Sequence, residues 1–192
     1  LKLFASISAT DAKPRNVSRN FMKIVVKNNK LIFSKVPETF INGENRISEE
    51  WTSTTMFNDY ELDFEFNETI FKSNETLKID IDWEIIEELI KHVFENIDVI
   101  QTKGASVLEN LFQQVFGDEY LEKWKGYFKA GGIQLKKFRK MESNPFFGSF
   151  LEYEVYYFLE SKIDYLIDPY HSYTVNFSNY NGLTIIGSSR NG

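Results

Sequence analysis

Between Phe57 and Asp98 the spacing of apolar residues changes from two to three-and-four, and that change separates two kinds of element. Tyr60, Leu62, Phe64 and Phe66 alternate with Glu61, Asp63 and Glu65; Leu77, Ile79 and Ile81 then alternate with Lys78 and Asp80. Successive strand side chains point to opposite faces, so both runs predict half-buried strands with a charged outer face. From Ile86 the apolar positions fall at Leu89, Ile90, Val93, Phe94 and Ile97, the period of a helix with one buried stripe. Asp82 is placed to cap it, because its carboxylate accepts a free amide and suits the positive helix end. A second helix is predicted over Leu108, Leu111, Phe112, Val115 and Phe116, with Thr102 or Ser106 near its start and Gly117 as its stop. A third, short helix takes in Tyr120, Leu121, Trp124 and Phe128, closed by Gly131-Gly132.

Strand patterns flank this helical section. Met22 to Val26 and Leu31 to Phe33 enclose Lys27-Asn28-Asn29-Lys30, a predicted hairpin. Residues 37–58 hold Pro37, Asn42-Gly43 and a Ser/Thr cluster at 52–55, and read as loop with a short strand around Trp51. Beyond the helices, strands are predicted from Ile133 and Leu135, from Leu151, Tyr153, Val155, Tyr157 and Leu159, and from Tyr173, Val175 and Phe177. Asn181-Gly182 then turns the chain towards Leu183 and Ile185. Strands, helices and strands follow one another without a repeating strand–helix–strand unit. The expectation is an α+β fold, a mainly antiparallel sheet interrupted by a central section of two to three helices at about residues 83–130. Residues 1–20 read as a polar lead-in and 21–192 as a single domain.

Charge changes this picture more than composition does. Apolar residues make up 42% and aromatics 16%, an ordinary globular share with many large rings. Between Phe57 and Asp98, thirteen acids stand against three bases, a local net of −10 in a chain whose net charge is −6. Such a field repels nucleic acid and anionic membranes and attracts a basic partner. Its plainer reading is a solvated surface that keeps the protein soluble. Cysteine is absent, which excludes disulfides, thiol nucleophiles and thiolate metal sites. That absence favours a reducing, cytoplasmic setting. No apolar run reaches the roughly 20 residues that span a bilayer. N-glycosylation sequons at Asn16, Asn67, Asn74 and Asn176, with a start other than Met, keep open a domain of a larger secreted protein.

Catalytic patterns are sparse. His92 falls on the polar side of its helix and reads as a surface residue. His171 lies in Asp168-Pro169-Tyr170-His171-Ser172, where a turn with a local hydrogen bond outweighs a triad, since triads need convergence in space. Glu160-Ser161-Lys162 has the Glu-x-Lys spacing of metal-dependent nucleases, in which the acid holds Mg²⁺ and the lysine steadies transition-state charge. With His171 it forms the alternative reading, a hydrolase or nuclease. No metal-ligand or phosphate-loop spacing is present, and no cofactor is implied.

Phe57-Asn58-Asp59-Tyr60-Glu61, the strands to Asp82 and the helical stretch Glu87 to Phe116 resemble the first part of a group of uncharacterised bacterial domains. Ile133-Gln134-Leu135, the long strand through Tyr156, Tyr170-His171-Ser172-Tyr173-Thr174-Val175, Asn181-Gly182 and Ile185-Ile186-Gly187 resemble the later part. Many members are taken to be immunity proteins of polymorphic or contact-dependent toxin systems. The resemblance covers about residues 57–187, places Tyr170 where the group carries Gly, and brings no catalytic residues. It implies a non-enzymatic, cytoplasmic protein that neutralises a toxin. Together with the charge pattern it nominates Asp59, Glu61, Asp63, Glu65, Glu84, Glu87 and Glu88 as one acidic face for a basic protein partner.

Overall fold

The computed structural model describes residues 21–39, 45–72, 79–117, 123, 125–140, 149–163, 168 and 170–191. Within them the chain forms β1 (Phe21–Val26), β2 (Asn29–Thr39), β3 (Asn45–Phe57) and β4 (Tyr60–Asn67). A 3₁₀ turn (Glu68–Phe71) and one helix, α1 (Trp83–Phe116), follow. The chain then returns to β5 (Gly126–Arg139), β6 (Phe150–Ser161), β7 (Ser172–Ser178) and β8 (Thr184–Asn191). All eight strands lie in one mixed sheet in the order of the chain. Six neighbouring pairs are antiparallel; β4 and β5, joined through α1, are parallel. Two four-stranded meanders are thus sewn along one parallel seam, and α1 covers one face of the sheet.

Among the described residues, the expected section of two to three helices is corrected to one helix of 34 residues, about 50 Å long at 1.5 Å per residue, with Lys123 as a further helical position. The anticipated break near Thr102 does not occur. The Thr102 hydroxyl instead donates to the Asp98 carbonyl at 2.8 Å, a bond made inside a continuing helix. Ile97, Ile100, Gly104, Leu108 and Phe112 are all buried, so the stripe runs through the glycine without interruption. Gly104 is a contact position: a Cβ there would lie 1.9 Å from the Tyr157 hydroxyl oxygen. That hydroxyl donates to the Ile100 carbonyl at 2.8 Å. Asp82 caps the helix, accepting from the Glu84 amide at 3.2 Å, and Gly117 ends it with φ 85°.

Other boundaries differ as well. Phe128 belongs to β5, and Gly131-Gly132 sits inside that strand at a bulge. Residues 118–122 and 124, the rest of the expected third helix, lie outside the described residues. The stretch read as loop at 37–58 contains the end of β2 and all of β3, whose Trp51 and Ser53 point inward while Thr52 and Thr54 point outward. β-Branched threonine suits a strand, and its polarity reflects a solvated face. Of the second acidic strand, residues 73–78 lie outside the described residues and Ile79 makes an isolated bridge to Lys72. Turns at Lys27-Asn28 (φ 45° and 67°), Asn58 (φ 52°) and Asn181-Gly182 (φ 57° and 93°) join strands at left-handed positions.

The core lies between α1 and the inner sheet face. At the helix start, Trp83 meets Trp51 edge-on at 5.2 Å and Phe66 at 5.7 Å. In mid-helix, Phe94 stacks on Phe57 at 4.0 Å. Near its end Phe112 packs with Phe128 and Tyr173. Gln101 reaches from the helix to the β5 backbone, donating to the Phe128 carbonyl at 2.6 Å and accepting from the Ala130 amide at 2.8 Å. The strand is therefore pinned next to its bulge.

Candidate binding groove on the outer sheet face

The face of the sheet turned away from α1 is built from the other phase of each strand. In register, Thr54, Asp63, Gly132, Tyr156, Thr174 and Ser189 form one row across six strands. Thr52, Glu65, Gln134, Glu154 and Asn176 form the next. β5 carries no side chain at Gly131 or Gly132. The Phe158 ring fills the place of the first, where a Cβ would lie 2.3 Å from it; Tyr156 closes to 3.2 Å on the second. Two rings from β6 thus lean over β5, and an open groove of about 550 Å³ lies above them. Its lining includes Asp63 and Glu65 from β4, Tyr156 and Phe158, and Tyr170 and His171 from the segment before β7. Phe158 is 52% exposed and Tyr170 87%, so both rings offer apolar surface at the groove.

Charge in this region is unevenly matched. Asp63 accepts from the Thr54 hydroxyl at 2.5 Å. Glu65 is pushed above the ordinary carboxylate range, first by burial and then by the neighbouring charges of Glu50 and Asp63; Lys136 acts in the opposite direction. Lys136 pairs with Glu154 at 2.7 Å. Burial pushes Glu154 up, but hydrogen bonds from Lys136 and Thr174 outweigh it and the net shift is downward. Tyr156 is pushed up to about 12 by burial and by Glu154, with smaller contributions from Glu65 and Glu50. Lys129 faces Phe158 in register but does not line the groove.

One end of the groove is braced by Asp168. One carboxylate oxygen contacts His171 Nδ1 at 2.6 Å; the other accepts from the Tyr173 hydroxyl at 2.6 Å and Arg190 Nη2 at 3.1 Å. Burial would raise its pKa, but the hydrogen bonds from Tyr173, His171 and Arg190 prevail and lower it. Arg190 also lies over the Phe116 ring at 5.1 Å, tying the last strand to the end of α1. His171 therefore makes the local contact that its sequence suggested. Ser172 and Tyr173 take opposite faces of β7, Ser172 exposed and Tyr173 buried.

The seven acids nominated from the sequence do not gather on one patch. Asp59 is exposed at the β3–β4 turn, and Glu61, Asp63 and Glu65 point outward from β4. Glu84, Glu87 and Glu88 lie on α1, in the opposite layer. Glu84 and the cap Asp82 are paired with Lys140, while Glu88 accepts from the Ser149 amide at 3.0 Å. The physical reason is direct: α1 packs on the apolar phase of β4, so the polar sides of helix and strand face away from each other. Of the seven, only Asp63 and Glu65 line the groove. Glu160 is engaged by the Tyr127 hydroxyl at 2.6 Å. Among the described residues no group of three potential ligands is placed to hold a metal ion. His92, expected on the surface, is half-buried with Nε2 3.1 Å from the Tyr153 hydroxyl, and burial lowers its pKa.

The residues that the sequence reading missed are Gly132, Tyr156 and Phe158. Tyr156 and Phe158 share the strand phase of Glu152 and Glu154, opposite to the buried Leu151, Tyr153, Val155, Tyr157 and Leu159, so the alternation of that strand carried a signal for their face. No helix of the described residues is long and apolar enough to cross a membrane, which leaves β-barrels unaddressed. Comparison with protein-family models, with curated proteins and with solved structures returns no match.

Proposed function

We propose that this protein is a non-enzymatic binding protein that captures a basic protein partner on its outer sheet face. The observation that carries the reading is Glu65, a half-buried carboxylate held beside Glu50 and Asp63 and facing an open groove with exposed rings. Negative charge concentrated on a surface speeds association with a cationic partner and discourages wrong ones. Exposed aromatics beside it supply the anchors that dominate interface energies. A toxin that attacks nucleic acid presents a basic active surface, and an immunity role in the cytoplasm against such a toxin agrees with both the charge and the resemblance described above.

The test is co-purification with the product of the neighbouring gene, followed by two charge-reversal sets. Reversal of Glu61, Asp63 and Glu65 is expected to abolish the complex, and added salt to weaken it. Reversal of Glu84, Glu87 and Glu88 is expected to leave it intact. A complex indifferent to the β4 set rejects the outer face as the docking surface.

A further inference from the structure

We propose that the groove over β5 seats an arginine side chain of the partner, its guanidinium held between the carboxylates of Asp63 and Glu65 and the rings of Tyr156 and Phe158. This deepens the binding reading and rests on it. Asp63 and Glu65 are two residues apart on one face of β4, a separation of about 7 Å along a strand. The Thr54 hydroxyl engages one Asp63 oxygen and leaves the other for a donor. Across the groove, Gly131 and Gly132 let Phe158 and Tyr156 settle onto β5, so aromatic surface stands opposite the acids. That combination discriminates between cations. A guanidinium is planar, weakly hydrated and forked; it stacks on a ring while donating to a carboxylate in its own plane. A lysine ammonium is compact and strongly hydrated and uses the rings less well. The groove is larger than one side chain and open to solvent, so it admits a side chain carried on a partner's backbone.

The experiment uses the full chain and small probes. Aromatic-ring NMR signals are followed while N-acetyl-L-argininamide is added, with the lysine analogue and the neutral citrulline analogue as comparisons. The arginine probe is expected to shift the Tyr156 and Phe158 rings saturably. The citrulline probe, the same shape without the charge, should bind at least about tenfold more weakly. Glu65→Gln and Phe158→Leu should each remove the shifts while the inner-face Phe112 and Phe128 signals stay in place. An absence of saturable shifts, or equal binding of arginine and citrulline probes, overturns the inference. If the probes fail while partner capture still depends on Glu65, the arginine seat is wrong and the broader binding reading stands. If the arginine probe binds as described and no basic partner is captured, the reading of function falls and the ligand class of the groove remains.

Discussion

Replacing Gly104 by alanine tests the account of α1 as one continuous, sheet-packed helix. In an exposed helix interior this change stabilises by about 1 kcal/mol, because alanine has the higher helix propensity. Here the new methyl group would sit 1.9 Å from the Tyr157 oxygen and 2.3 Å from its Cζ. The tyrosine is nearly fully buried and hydrogen-bonded to Ile100, so it has little room to withdraw. Overpacking of this kind costs about 1–3 kcal/mol. Displacing the hydroxyl from the Ile100 carbonyl adds about 1 kcal/mol for the lost bond. After subtracting the propensity gain, the net expectation is a loss of about 1–3 kcal/mol. In a domain of this size that corresponds to a fall in Tm of roughly 2–12 °C. Calorimetry on four proteins reads the effect: wild type, Gly104→Ala, Tyr157→Leu and the double variant. Leucine is too short to reach position 104 with either clashing atom. In the Tyr157→Leu background, Gly104→Ala should therefore be neutral or stabilising. A Gly104→Ala protein as stable as wild type, or one equally destabilised in both backgrounds, would refute the close contact.

Three further outcomes follow from the charged groups. Asp168→Asn should cost about 1.5–3 kcal/mol at pH 7, because three donors converge on that carboxylate. Its folded-state pKa is lowered, so its contribution is present above the ordinary aspartate range and fades as pH falls through the lowered value; the gap between wild type and variant in urea melts should close below about pH 4. Glu65 has a raised pKa, so the folded chain holds that proton more tightly than the unfolded one; acidification favours the free fold while removing charge from the groove. Partner affinity should accordingly fall on acidification before ordinary carboxylates titrate, and this early phase should be missing in Glu65→Gln when binding is followed by calorimetric titration. Asp82→Ala removes both the helix cap and the partner of Lys140 and should lower stability by about 1–2 kcal/mol in denaturant melts, without affecting capture of a basic partner.

Much of the fold was legible wherever one periodicity persisted between clear punctuation. β6 shows its alternation from Leu151 to Leu159, and Asn181-Gly182 marks its turn plainly. Punctuation misled at Gly131-Gly132, which serve packing instead of ending a helix and make room for two rings. Gly104 likewise makes room for Tyr157, and both mark contacts between distant segments that a local pattern does not report. Thr52 to Thr55 looked like loop because both faces of β3 carry hydroxyl groups, whereas its pairing with β2 and β4 fixes it as a strand. The site was half visible. Alternation correctly grouped Glu61, Asp63 and Glu65. Joining them to Glu84, Glu87 and Glu88 overlooked that a helix and a strand sharing one apolar core turn their charged sides apart. Tyr156 and Phe158 came into the site only through the register of β5 with β6.

The order of strands in the sheet also governs how the chain reaches this state. Every antiparallel pairing joins neighbours in sequence, so each meander forms by closing short loops. The β4–β5 seam alone requires the intervening helical segment to be spanned first. Loop-closure entropy is concentrated in that single step. The inner faces of both meanders find their shared cover in α1, so zipping of the seam is the event that makes two halves into one cooperative unit. The groove straddles the same seam, with Asp63 and Glu65 on one half and Tyr156 and Phe158 on the other. It comes into being only when assembly is complete, so a half-folded chain lacks the proposed binding surface altogether.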